Sequence, residues 1–298
     1  MTESATTPFT AAYDAVLGSW PVPVERIDLT SAYGTTRVVA CGPADGPPLV
    51  LLHGGNATSA VWFANAAELS RTRRVYAVDR IGEAGRSVPG ERPVRSVDDL
   101  LDWLDGVLDG LGPGLGPGLG PGLGLDRVDL CGHSYGGWIA LTYALHARQR
   151  VRRLVLLDPT QCFAGFRAGY LLRALPLLAR PTARRARAFL DWETGGADID
   201  PAWCELHGLA AEFPRRKIVT GRRPAARQLG ELTAPTLVLL AGDSRAHDVR
   251  RVEAAARRRL PHVETVVLPG LSHHGIPFRH AAALDRTVEA FLDKHSQD

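Results

Sequence analysis

Lysine is almost missing from this sequence: 35 residues are lysine or arginine, and only Lys217 and Lys294 are lysine. The 32 acidic residues bring the net charge to +3, too weak a field to point to a nucleic-acid partner. The arginine bias comes with abundant Ala, Gly and Pro, and fits a GC-rich coding sequence better than a binding surface. Cysteine is scarce too. Cys41, Cys131, Cys162 and Cys204 show no CxxC or Cys/His spacing, so a metal site is not expected, and the serine chemistry read below needs no organic cofactor. Cys131 lies inside an apolar strand pattern and reads as a small buried thiol. Long apolar runs are missing as well, since none approaches the roughly 20 residues of a membrane span. The opening MTESATTPFT lacks the charged-then-apolar pattern of a signal peptide. The expectation is a cytoplasmic protein acting on a small molecule, with neither nucleic acid nor membrane as a partner. Oligomeric state leaves no mark on the sequence.

What is present is an ordinary globular composition, 45% apolar and 22% charged over 298 residues, enough to bury a large core. Strand patterns fall at 26–29, 36–41, 48–53, 75–79, 127–131, 153–158, 236–241 and 264–268. From Pro48 on they are nearly unbroken apolar runs, as in parallel strands covered on both faces. Helical patterns lie between them, at 59–70, 96–111, 136–148, 248–260 and 279–294. This alternation predicts an open α/β sheet that binds ligands beyond the carboxyl ends of its strands. Two segments break the rhythm. Residues 110–125, GLGPGLGPGLGPGLGL, repeat every four residues rather than the three of collagen, and read as a flexible insertion. Residues 161–232 read as short helices, a cap over the strand ends. In this cap Arg167, Arg173, Arg180, Arg184, Arg185, Arg187, Arg215 and Arg216 outnumber nearby carboxylates. A solvated helix face is the expected reason, ahead of an anion-binding role. The predicted layout is an N-terminal extension at 1–24, a core at 25–160 and 233–298, and the cap between.

The chemistry centres on DLCGHSYGGWIAL, residues 129–141. Ser134 is flanked two residues away by Gly132 and Gly136, between an apolar strand and an amphipathic helix. A nucleophile on so sharp a turn has crowded neighbours, and the following helix N-terminus favours a developing negative charge. Serine needs a base to take its proton. The best-placed histidines are His273 and His274, in VVLPGLSHHGIPF after the last strand; neighbouring side chains diverge, so one of the two faces Ser134. An oxyanion hole needs two backbone N–H donors. Tyr135 supplies one, and LLHGGNATSAVW, where a strand ends in His53-Gly54-Gly55, fits the other. His53 itself reads as a structural hydrogen-bonding group.

These pieces, with VDRIGEAGRS, LVLLDP and PTLVLLAGD in the same order, resemble the α/β-hydrolase fold superfamily from about Glu25 to about Leu292. The resemblance implies a mostly parallel eight-stranded sheet flanked by helices, with a helical cap. It implies Ser134 as nucleophile, His273 as base, and the Gly55 and Tyr135 amides as the oxyanion hole. The loop from Asp79 to Ser87 carries one residue more between its glycines than the family pattern and reads as structural. The acid departs from the pattern. At its usual place, in LLAGDSRAHD, stand Ser244 or Arg245, neither able to orient an imidazole. Asp158, at the end of the strand after the nucleophile helix, is the first choice, and Asp243 and Asp248 stay open. An N-cap role would account for Asp248 without catalysis.

The expected activity is hydrolysis of a carboxylic ester or thioester of a small, moderately hydrophobic substrate through an acyl-serine. Alternatives are a biosynthetic thioesterase or cyclase, a cofactor-free haloperoxidase or perhydrolase, and a ligand-binding protein on a hydrolase scaffold. Asp in place of Ser134 would have pointed to dehalogenases or epoxide hydrolases. Phe163, Phe166, Tyr170, Trp192, Trp203 and Trp138 suit either an apolar substrate or the packing of the cap.

Overall fold

A computed structural model describes residues 7–112, 124–214 and 217–294. Helix α1 (Pro8–Gly18) precedes an antiparallel pair, β1 (Glu25–Ser31) and β2 (Gly34–Cys41). Strand β3 (Pro48–Leu52) leads through a 3-10 helix (Ser59–Ala64) and α2 (Ala66–Leu69) to β4 (Arg74–Val78). After the two-residue β5 (Val88–Pro89) come α3 (Val97–Gly110), β6 (Val128–His133), α4 (Tyr135–His146) and β7 (Val151–Leu157). Four helices follow: α5 (Ala168–Ala179), α6 (Ala183–Thr194), α7 (Pro201–Glu212) and α8 (Ala226–Gly230). The chain ends in β8 (Thr236–Ala241), α9 (Val249–Arg259), β9 (Val263–Leu268), a 3-10 turn (His273–Gly275) and α10 (Ala281–Lys294).

The strands form one sheet in the order β1-β2-β4-β3-β6-β7-β8-β9, with β5 paired to β2. Every pairing from β4 to β9 is parallel, and those of β1, β2 and β5 are antiparallel. The expected eight strands are thus present, and β5 adds a ninth too short to show as a pattern. Side chains alternate faces along each strand. Val50 and Leu52 enter one core with α3 and α4, while Leu49 and Leu51 enter the other with α1 and α10. A strand buried on both sides must be apolar throughout, which is why β3 reads PLVLL.

The sequence analysis did not name α1. Thr7 caps it in a reciprocal pair with Thr10, Pro8 opens it, and Phe9, Tyr13, Val16 and Leu17 form its buried stripe. It packs on α7. The predicted helix at 59–70 is instead broken at Asn65, whose amide donates to Asp285 (2.7 Å) and to the Pro277 carbonyl (3.2 Å). Buried side-chain demands of this kind override local helical preference. Most of the Gly-Leu-Gly-Pro repeat, residues 113–123, lies outside the described residues. Its ends meet, since Gly124 N–H donates to Leu111 O at 2.8 Å and Leu125 N–H to Leu108 O at 3.0 Å.

Candidate active site

Ser134 stands between β6 and α4 with φ +54° and ψ −116°, a conformation a non-glycine residue adopts only when its surroundings force it. The forcing is steric. A Cβ on Gly132 would lie 2.2 Å from Gly136 O, and one on Gly136 would lie 2.3 Å from Leu52 O. Strand, turn and helix therefore approach closely enough to lift the serine over the sheet edge. Its Oγ makes no capping bond to α4 and lies 2.8 Å from His273 Nε2.

His273 Nδ1 donates to Asp158 Oδ2 at 2.6 Å. That bond puts the proton on Nδ1 and leaves Nε2 free to accept from Ser134. Of the three carboxylates left open by the sequence, Asp158 is the one bonded to His273. It follows β7 at φ +42° and is fully buried. Asp248 caps α9 by accepting from Arg251 N–H at 3.0 Å, and Asp243 anchors its turn through its backbone N–H to Leu271 O. Neither side chain is bonded to His273. Ser244, where the resemblance places an acid, donates its hydroxyl to Asp158 Oδ2 at 2.8 Å.

Two residues that the sequence analysis passed over complete this cluster. His247 Nε2 donates to Asp158 Oδ1 at 3.0 Å, beside the Ala241 amide at 3.1 Å. Glu193 on α6, only 1% exposed, accepts from the backbone amides of His273 (3.1 Å), His274 (2.8 Å) and Arg245 (3.4 Å). A helix of the predicted cap thus holds the histidine loop by its backbone. A histidine five residues past a strand-end glycine was one available signal for His247; nothing local marks Glu193.

Electrostatics follow from these contacts. Burial opposes the Asp158 carboxylate, but His247 and His273 outweigh it and hold its pKa far below the ordinary carboxylate range. Burial also opposes a charged His273, yet the Asp158 bond and charge raise its pKa above the usual 6.5. Its neighbours go the other way. Burial lowers His274 to about 4 despite the Glu193 charge, and lowers His207 to about 3 with help from His274. One imidazole among several is therefore set to take a proton.

The adjacent histidines do diverge, with ring planes at 89°; His274 Nε2 lies 3.0 Å from the Tyr170 hydroxyl. His53 is structural, with Nδ1 donating to Gly54 O at 2.8 Å and Nε2 accepting from Arg80 N–H at 3.3 Å. Buried Arg80 also donates to the His53 and Gly54 carbonyls and pairs with Glu83. The loop from Asp79 to Ser87 therefore braces the strand end at Gly54. Asp79 itself accepts from Ser59 N–H (2.7 Å) and Arg86 N–H (2.8 Å). Gly54 lies against Ser134, since a Cβ there would come within 3.3 Å of the serine Cβ. Tyr135 opens α4, where an amide has no partner within the helix. A cavity beside Ser134 is lined by Val61, Leu190, Trp203, His207, Ile276 and Phe278, among others. Of the aromatics singled out in the sequence, Trp203 lines this cavity. Trp138 instead stacks on Tyr135, and Phe166 on Tyr170.

The profile of the alpha/beta hydrolase family matches residues 49–290. The chain belongs to that family. Carboxylesterase YbfK of Bacillus subtilis (strain 168) is 34% identical over 213 residues, covering 72% of this chain and 63% of the relative. The chain thus matches a little under two thirds of that relative's length in sequence. In structure the likeness extends further. The crystal structure of carboxylesterase CesB (YbfK) from Bacillus subtilis gives a TM-score of 0.85 at 27% identity, covering 95% of this chain and 96% of that one. The crystal structure of naproxen esterase (carboxylesterase NP) from Bacillus subtilis gives 0.84 at 25% identity, covering 97% and 99%.

Proposed function

We propose that this hydrolase is a carboxylesterase working through an acyl-serine at Ser134. The observation that carries the reading is the unbroken hydrogen-bond chain from Ser134 Oγ through His273 to Asp158, at 2.8 and 2.6 Å. In the first step His273 Nε2 takes the Ser134 proton as Oγ attacks the ester carbonyl. Asp158 holds the imidazole in the tautomer with Nδ1 protonated and balances the imidazolium that forms. The Gly55 and Tyr135 amides are the donors assigned to the oxyanion, next to the N-terminus of α4. His273 then gives its proton to the departing alcohol. Water follows the same path in reverse, releasing the acid and restoring the hydroxyl.

The apolar lining of the cavity beside Ser134 suits a small, moderately hydrophobic acyl group, and the two similar esterases favour an ester over other acyl compounds. An intact Ser–His–Asp chain argues against a scaffold that only binds. The test is hydrolysis of p-nitrophenyl esters of graded acyl length by wild type and by Ser134→Ala. Wild type is expected to turn over short and medium esters, and Ser134→Ala to lose about 10⁴–10⁶-fold in kcat. Equal activity in the two proteins would refute the reading.

A further inference from the structure

Two buried nitrogens on α7, Trp203 Nε1 and His207 Nδ1, have no hydrogen-bond partner among the described residues. Trp203 is 3% and His207 4% exposed. Residues four apart share one face of a helix, and both of these line the cavity beside Ser134. Trp62 and Trp138 also carry unbonded indole nitrogens, but neither lines that cavity. A buried N–H without an acceptor costs free energy that a bonded one does not. Two such nitrogens at one cavity, beside a nucleophile, point to an acceptor on whatever enters it.

Packing fixes both rings in place. The indole has Phe63 at 6.4 Å and Phe278 at 5.9 Å, ring to ring. His207 lies 5.8 Å from Trp203 and 6.2 Å from His274. The Asn56 side-chain nitrogen donates to the His207 carbonyl at 3.2 Å and lies 3.4 Å from His207 Nε2. An amide nitrogen only donates, so Nε2 accepts and the ring proton sits on Nδ1. Burial, with His274, outweighs the pull of the Asn56 backbone and holds the His207 pKa at about 3. The ring is therefore neutral at pH 7, and the pair amounts to two uncharged N–H donors. No Lys or Arg lines the cavity, so a carboxylate there would be desolvated without a countercharge. An uncharged oxygen suits the donors better.

We propose that Trp203 and His207 form a polar subsite for an uncharged acceptor oxygen, an ether or a ketone, carried along the acyl chain of the ester. The subsite deepens the carboxylesterase reading and rests on it for placing the ester carbonyl at Ser134. Trp203 carries most of the recognition, because an indole nitrogen is a donor in every state. His207 adds a second donor one turn along the same helix. A purely apolar cavity would prefer an all-carbon chain, since oxygen in place of a methylene removes apolar area and adds a group to desolvate. The subsite reverses that order at the chain position that reaches the indole.

The test compares kcat/KM for p-nitrophenyl heptanoate with that for analogues whose fourth, fifth or sixth chain carbon is replaced by oxygen. Each value is divided by the ester's rate of alkaline hydrolysis, which removes differences in intrinsic reactivity. Wild type is expected to favour one oxa-ester over heptanoate by about tenfold. Trp203→Phe is expected to bring that ratio to about one or below. His207→Gln, which keeps a group for Asn56 but drops Nδ1, is expected to lower it by about threefold. A second readout needs binding alone. In Ser134→Ala, the Trp203 indole N–H resonance is expected to move downfield with the methyl ester of the favoured oxa-chain and not with methyl heptanoate. That signal separates failure of the subsite from failure of the esterase reading. A wild type that prefers heptanoate to every oxa-ester overturns the proposal, whether or not the variants fold. So does an unchanged ratio in folded Trp203→Phe, or an indole resonance that the oxa-ester leaves in place.

Discussion

Asp158 accepts from two imidazoles, a serine hydroxyl and a backbone amide, and each bond favours its ionised form. That charge raises the His273 pKa, which has a measurable sign. In the proposed mechanism catalysis needs neutral His273, so kcat/KM is expected to fall as pH drops through a pKa above the ordinary 6.5. Asp158→Asn is expected to cut kcat about 10⁴-fold and to shift this acid limb to lower pH. Glu193 is the other carboxylate whose charge raises His273; Ser134, His133, His247, His274 and Tyr170 also face that ring. Glu193→Gln is therefore expected to shift the limb the same way but less, with kcat/KM against pH as the measurement. An unmoved limb in Glu193→Gln would leave Glu193 only a structural tie. The pairing of Ser134 with His273 was legible because each sits in a short motif whose chemistry is local. The carboxylate partner of His273 was legible only as a choice of three. What decides it is which carboxylate the fold carries to His273, and Asp158 and His273 lie 115 residues apart. Glu193 was illegible for a related reason: a glutamate on an arginine-rich helix reads as solvent-facing until the histidine loop covers it.

At the scale of elements, the turn from β6 to α4 is the most constrained junction. The 2.3 Å approach of a Gly136 Cβ to Leu52 O is against backbone, which cannot rotate away. Gly136→Ala is expected to cost on the order of 2–4 kcal/mol of stability and most of the activity, read by thermal melting and ester turnover. A variant with wild-type melting would show that the backbone can give way there. The strands were easy to read because a doubly covered strand has no polar face to confuse the pattern. Helix α1 was readable but passed over. Its apolar residues at 9, 13, 16 and 17 follow helical spacing behind a Thr–Pro start. The break at Asn65 was not readable, since its cause is a bond to Asp285, 220 residues away.

Across the whole molecule, the two ends of the sheet do different work. At the carboxyl ends of β6 and β7 stand Ser134 and Asp158. Toward the opposite end of β6, fully buried Asp129 gathers Arg73 (3.3 Å), Arg152 (3.1 Å) and Arg153 (2.8 Å). Arg73 continues to Asp293 (2.5 Å) and Arg153 to the Leu292 carbonyl, tying in α10. Removing one charge from such a group strands its partners. Asp129→Asn is expected to cost about 3–5 kcal/mol, a fall of roughly 10 °C in Tm, while kcat of the folded protein at 25 °C stays near wild type. A matching loss of kcat would mean that this end of the sheet also shapes the site. The central claim concerns the other end, and it is tested most directly by intact-mass spectrometry of the enzyme quenched during turnover of a p-nitrophenyl ester. The account predicts one acyl mass added, mapped to the peptide containing Ser134 and missing in Ser134→Ala. An adduct on another residue, or turnover with no Ser134-dependent adduct and no nitrophenol burst, would contradict it.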